Sequence, residues 1–396
     1  MKTVYGVILA LIILLASCKG SASPAPAPAW MVSTLAGSGT SGHQDGVAAT
    51  AQFNEPYGVA VGSSGNVYVA DKNNNRIRKI TPNGIVSDFA GSGKKDYRDN
   101  DDDEEATDAW FNWPYGVAVD SSGNVYVADR NNDRIRKITE EDDAGDETWT
   151  VSTLAGSGTQ GHQNGVGTDA RFNRPAGVAV DSSGNVYVAD QDNDRIRKIT
   201  EEENDEGDKI WRVKTIAGDG MAGHQDDQDN TVTTTARFHN PSGVAVDLSG
   251  NVYVADTSND RVRKITEEKN DEGDKVWKVK TIAGSGTRGH KDGVGTDARF
   301  SRPTGVAVDS SGNIYVADQN NHRIRKITET EEVDDDGNKI WKVSTLAGSG
   351  TAGYRDGAAA EARFNSPTGV ALDSSGNVYV ADESNHRIRK IEYRVP

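Results

Sequence analysis

Pro175-Ala176-Gly177-Val178-Ala179-Val180-Asp181, then Asn185-Val186-Tyr187-Val188-Ala189-Asp190, then Arg195-Ile196-Arg197-Lys198-Ile199: these segments decide the fold, because the chain spells them six times. The prolines that open the copies are Pro56, Pro114, Pro175, Pro241, Pro303 and Pro367, 58 to 66 residues apart. A near-regular period of this length means one supersecondary unit stacked on copies of itself. Within a copy, β-branched and aromatic residues alternate with polar ones, and Asp, Asn and Gly mark the breaks, so each segment reads as a strand. The first segment carries only small side chains, which suits strands crowding around an axis. Asp181-Ser182-Ser183-Gly184-Asn185 has the composition of a tight turn. A fourth strand follows the third, as in Ile85–Phe89 and Val151–Leu154.

Four short strands per repeat in radial array make a β-propeller blade, so the expectation is an all-β, six-bladed propeller over residues 30–396. The chain ends agree with this count. Trp30-Met31-Val32-Ser33-Thr34-Leu35-Ala36-Gly37 matches a fourth strand yet precedes the first repeat, whereas Arg387–Ile391 is a third strand with no fourth after it. The N-terminal strand is therefore expected to complete the last blade and close the ring, leaving no free sheet edge.

These units resemble NHL repeats. The resemblance implies a six-bladed propeller from about Trp30 onward. It leaves function open, since that family includes protein- and RNA-binding modules, cell-surface sensors, and a few lyases and lactonase-like enzymes.

The first residues form a separate unit. Lys2, the apolar run Val7–Leu15 and the small residues before Cys18 read as an export signal over residues 1–17, too short to span a bilayer as a helix. Leu15-Ala16-Ser17-Cys18 resembles the lipobox of bacterial lipoproteins, which implies acylation of Cys18 and attachment to the bacterial cell envelope through lipid alone. The other reading is ordinary secretion with an incidental cysteine. Residues 18–29, rich in Pro and Ala, read as a semi-extended tether.

The formal net charge is −16. Most of it falls on four connections between third and fourth strands: Glu140–Glu147, Glu201–Lys209, Glu267–Lys275 and Glu329–Lys339. These should emerge on one face as an acidic fringe, which disfavours nucleic acid as a partner. Their spacing does not follow a calcium loop. Trp149, Trp211, Trp277 and Trp341 flank them and are expected to extend the hairpins through cross-strand apolar pairs. Gly37-Ser38-Gly39-Thr40-Ser41-Gly42 fits a dinucleotide fingerprint, but no helix follows it, so the glycines serve the passage between blades. His43, His162, His224 and His290 share a loop position, with Asp45, Asp226 and Asp292 two residues after three of them, and brace that loop. Asp71, Asp129, Asp190, Asp256, Asp318 and Asp382 end the second strands and are expected to accept turn N–H groups and to pair with an arginine. No Ser–His–Asp or Cys–His set is assembled, so no catalytic residue is expected.

Function is expected where the copies differ. Beside the prolines, at the mouth of the channel, stand Glu55, Trp113, Arg174, Asn240 and Arg302. After them come Tyr57, Tyr115, Ala176, Ser242, Thr304 and Thr368. Tyr57, Trp110, Trp113 and Tyr115 suggest an aromatic crescent opposite Arg174 and Arg302, suited to a glycan or an extracytoplasmic protein. The plainer reading of Trp110 is that it packs between blades. Loops Lys94–Glu105 and Asp226–Thr235 would wall this face. The alternative is a metal-dependent lactonase- or lyase-like enzyme, with Glu55, His239 and Asn240 holding a divalent ion; no other cofactor is expected.

Overall fold

Each repeat folds as a four-stranded antiparallel blade. The computed structural model describes residues 29–100, 105–143, 146–227, 235–333 and 339–395. The expected export signal, Cys18 and most of the tether lie outside them, as do parts of the two loops expected to wall the mouth. With blades numbered in chain order of their prolines, the third is typical: inner strand Pro175–Val180, second Val186–Asp190, third Arg195–Glu203, outer Lys209–Ala217. Pro175 lies opposite Asp190, and Val180 opposite Val186. The proline and the end of the second strand therefore share one face, and the acidic hairpins leave by the other.

Close approach at the axis explains the glycine of every Pro-x-Gly. A Cβ on Gly177 would lie 2.3 Å from the Ser242 carbonyl oxygen of the next blade, and one on any of the other five inner glycines would lie 2.2–2.5 Å from the equivalent oxygen. No side chain fits at that distance. The strand Ala29–Ala36 pairs antiparallel with Arg387–Arg394, Val32 opposite Ile391 and Trp30 opposite Tyr393, and so closes the ring as expected.

The blades adhere through apolar clusters, one at each interface. Between the third and fourth, for example, Tyr187, Ile196 and Ile216 meet Phe238, Val244 and Val254, all buried. Threaded through these is a ring of ion pairs. Arg78, Arg136, Arg197, Arg263, Arg325 and Arg389 are fully buried and meet Asp71, Asp129, Asp190, Asp256, Asp318 and Asp382 at 2.7–3.0 Å. The pairing arginine is thus the second of each Arg-x-Arg. Each guanidinium also lies 4.9–5.3 Å from the ring centre of a buried phenylalanine, Phe53 through Phe364. Each aspartate accepts further bonds, as Asp190 does from the Asn173 N–H and Asn193 Nδ2, which offset part of the desolvation of the pair; burial still holds the Asp190 pKa above its usual value.

Two details of the blades lie outside the expected pattern, which otherwise holds. Among the described residues, four of the six sheets gain a fifth strand of two residues, Gly46–Val47, Gly165–Val166, Gly293–Val294 and Gly357–Ala358, laid against the outer edge. Two residues carry no period, so the sequence did not announce them. In the second and fourth blades, side chains of Asn100 and Asp227 accept N–H groups of that edge instead. The hairpin tryptophans do not form cross-strand apolar pairs either: Trp211 faces Glu201 across the ladder. Its ring packs on the neighbouring blade, where Lys137 Nζ lies 5.8 Å from both Trp211 and Tyr126. Trp277 and Trp341 repeat this with Lys198 and Lys264.

The loop histidines brace their own loops, as expected. His162, His224 and His290 meet Thr215, Thr281 and Thr345 through Nε2 at 2.9–3.0 Å. Partial burial and the nearby Arg197 and Arg195 hold the His162 pKa down at about 4.

Candidate functional site

Two rings of left-handed residues build the channel mouth. The first follows the single 3-10 turn after each second strand: Asn75, Asp133, Asp194, Asp260, His322 and His386, with φ of 52–54°. The second ring comprises the residues before the prolines, Glu55, Trp113, Arg174, Asn240, Arg302 and Ser366, with φ of 49–60°. The rings are joined by hydrogen bonds that cross each blade seam. The N–H groups of Arg174, Asn240 and Arg302 donate to Oδ1 of Asp133, Asp194 and Asp260 at 2.7 Å. The Trp113 N–H donates to Asn75 Oδ1, and those of Ser366 and Glu55 to Nδ1 of His322 and His386, each at 3.1 Å. Asn and Asp tolerate the left-handed region, and here every member of the first ring has a bonding task. Glu, Trp and Arg in the second ring have no such tolerance, and their side chains share no task.

Those side chains are fixed at the mouth with a third varied position, the first residue of each 3-10 turn. Sequence reasoning missed this position, although Lys72, Arg130, Gln191, Thr257, Gln319 and Glu383 follow the repeated Asp and are of five kinds in six copies. Lys72 fills the space the aromatic crescent was expected to leave open. Its ammonium lies 5.7 Å from the ring centres of Tyr57 and Trp113 and 5.9 Å from that of Tyr115. It pairs with Glu55 at 2.8 Å and with Glu383 at 2.6 Å. Burial works against the ammonium, but the two carboxylates outweigh it and hold its pKa above the usual value. The Lys72 hydrogen bond in turn holds Glu55 below the ordinary carboxylate range.

Tyr57 stacks on Tyr115 at 3.9 Å, and its hydroxyl lies 3.3 Å from Ser242 Oγ of the fourth blade, so one tyrosine spans the bore. Burial, with the neighbouring Tyr115, pushes that hydroxyl far above its usual pKa. Below it the channel narrows to about 60 Å³ between the inner strands. Trp110 is not part of the cluster built around Lys72. Its ring lies under Lys94 Nζ at 4.8 Å and near Arg98, at the position other blades give to Gln or Arg.

The arginines occupy the remaining arc. Arg130 lies 4.6 Å over Tyr115 and donates to Gln191 Oε1 at 2.9 Å. Arg302 donates through Nε to Gln319 Oε1 at 3.0 Å. Arg174, about half exposed, makes a loose 3.5 Å contact with Asp192.

The expected metal ligands do not fit a divalent ion. Glu55 belongs to the first blade, His239 and Asn240 to the fourth across the mouth. Glu55 is already neutralised by an ammonium that would repel a cation, and Asn240 Oδ1 accepts the Ser258 hydroxyl. His43, Asp45 and Asp88 form a cluster of ligand-type groups among the described residues, with ligand atoms within 4.8 Å of one another. Arg76 and Arg78 pair with its carboxylates, so it too is compensated by protein cations.

A model of the NHL repeat matches residues 53–80, 111–138, 172–199, 238–265, 300–327 and 364–391, each from three residues before the proline to the third strand. The chain carries six NHL repeats. It is similar to the SUPPRESSOR OF QUENCHING 1 protein of Arabidopsis thaliana, 30% identical over 322 residues, covering 78% of this chain and 27% of that protein. It is also similar to the human NHL repeat-containing protein 2, 29% identical over 349 residues, covering 82% and 44%. The chain thus spans less than half the length of these relatives. Among solved structures, an auxiliary nutrient binding protein from Bacteroides thetaiotaomicron shares the fold with a TM-score of 0.61 and 17% identity, covering 93% of this chain and 77% of that one. Every NHL match here includes the pre-proline residue, so the varied mouth is carried by the repeats themselves.

Proposed function

We propose that the protein is an exported binding module, held at the bacterial cell envelope by an acylated Cys18, whose channel mouth engages a glycan or an extracytoplasmic protein. One observation carries this reading. Trp113, Arg174, Arg302 and Glu55 stand in a backbone conformation that glycine adopts more cheaply, each at a conformational cost of about 1–2 kcal/mol. Glu55 and Trp113 are engaged by Lys72, but no packing task common to all four accounts for those side chains, so their presence is assigned to a ligand. The mouth is presented on a rigid six-bladed frame, which keeps the loss of conformational freedom on binding small. The Bacteroides fold neighbour named as a nutrient binding protein serves as a binding protein on the same frame.

The test is a glycan and peptide array probed with the full chain and with a Trp113→Ala/Tyr115→Ala variant. Ligands that bind the parent and are lost from a variant with native circular dichroism support the mouth as the site. Undiminished binding by the folded variant sinks it. Anchoring is tested separately: Cys18→Ser should move the protein from the membrane fraction to the soluble one.

A further inference from the structure

Two arginines at the mouth are treated differently from those of the buried ring. There, each guanidinium meets a carboxylate at 2.7–3.0 Å. At the mouth, Arg130 and Arg302 are instead held by the neutral amides of Gln191 and Gln319, both nearly buried. Neither has a carboxylate partner among the described residues. A glutamine positions a guanidinium without neutralising it, so its charge stays available to a ligand.

The remaining contacts aim that charge. Arg130 lies over the Tyr115 ring, which holds the guanidinium at the mouth, and Tyr115 is stacked on Tyr57. Gln319 also donates to Glu383, which pairs with Lys72, so a hydrogen-bonded chain runs from Arg302 through three blades to Glu55. That chain divides the mouth. One side is self-neutralised, its aromatic rings already facing the chain's own ammonium; the other offers Arg130, Arg302 and the loosely paired Arg174. A cationic ligand would have to displace Lys72. An anionic one meets unspent donors. Arg130 and Arg302 come from the second and fifth blades, which face each other across the ring, so they offer two separate positions for anionic groups. Asn240 and Ser366 add polar, uncharged groups suited to hydroxyls.

Resting on the reading of the mouth as the binding site, we infer that its ligand is a saccharide bearing more than one carboxylate, with separate carboxylates taken by Arg130 and Arg302. The acidic hairpins on the opposite face leave this side as the one that attracts an anion.

Calorimetric titration of the full chain tests this with trigalacturonate, its fully methyl-esterified form and a triglutamate peptide, at about 0.01 M and 0.15 M ionic strength. Trigalacturonate is expected to bind, more weakly at the higher salt, with the ester and the peptide weaker by about tenfold or more. Arg130→Gln/Arg302→Gln should weaken trigalacturonate by about tenfold or more, leave the ester unchanged and keep the unfolding midpoint. Equal binding of acid and ester, preference for the peptide, or no binding of any probe overturns the inference. If array ligands are lost from Trp113→Ala/Tyr115→Ala but kept by the arginine variant, the mouth stands and the anion falls. If both variants keep them, the mouth itself falls.

Discussion

The buried ring of Asp–Arg pairs and the ring of residues before the prolines lie in the same repeats, yet follow opposite rules. In the first, the same two residues recur six times, fully buried and charge-matched. In the second, Glu55, Trp113, Arg174, Asn240, Arg302 and Ser366 share only a backbone conformation and an N–H bond across the seam. Identity across copies marks what the architecture requires. Difference across copies, on a backbone held fixed, marks what it leaves free for recognition.

The sharpest way to break this contrast is to remove half of one repeated pair. Asp190→Ala leaves Arg197, whose other side-chain acceptor is the neutral Asn164, buried without its counter-charge and should cost about 3–5 kcal/mol in denaturant unfolding. A loss below about 1 kcal/mol would show that the ring does not hold the blades. Next comes the axis. Gly305→Ala would place a Cβ 2.2 Å from the Thr368 carbonyl oxygen, and the shift needed should cost about 1–3 kcal/mol. A neutral result would mean that the inner strands can spread.

The seams themselves differ, and pH separates them. His322 and His386 accept N–H groups through Nδ1, which only the neutral ring can do. Partial burial lowers the pKa of both. The unfolded chain therefore binds these protons more readily, so the stability from neutral rings is present above pH 6.5 and lost as pH falls below it. His162 adds to the same trend down to about 4. Replacing both with aspartate, the acceptor of the seams entering blades three to five, should flatten part of that slope, by about 1 kcal/mol at pH 5. An unchanged slope would place the titration elsewhere. The smallest effect belongs to the second ring: Arg174→Gly should leave stability unchanged or raise it by about 1 kcal/mol, because glycine suits its φ of 49°. Clear destabilisation would give that side chain a structural task.

Legibility in the sequence followed the same division. The repeated strands, the closing strand and the face carrying the acidic hairpins could be read from residues such as Tyr187 and Arg197, because periodic patterns report burial directly. The mouth could be located but not filled in. Nothing in Trp113-Pro114 signals a positive φ, since tryptophan and the residue before proline both argue against it. Lys72 could have been found by asking which residue after the repeated Asp varies. Its place among Tyr57, Trp113 and Tyr115 could not, because three blades contribute to that cluster once Glu383 is counted.

The closing strand has a consequence in time. Val32 is made early and finds its partner, Ile391, only when nearly the whole propeller has been synthesised. Until then Ala29–Ala36 is an unpaired strand carrying Trp30, Met31, Val32 and Leu35, and the last blade is missing its outer member. Blades can stack on one another as they emerge, but the ring can lock only as the final event. Should the tether be fixed to a membrane, this early strand would be held near the surface while the rest of the molecule assembled around it. A molecule built this way has its weakest moment just before completion, when two complementary edges are exposed at once and a second copy could supply either.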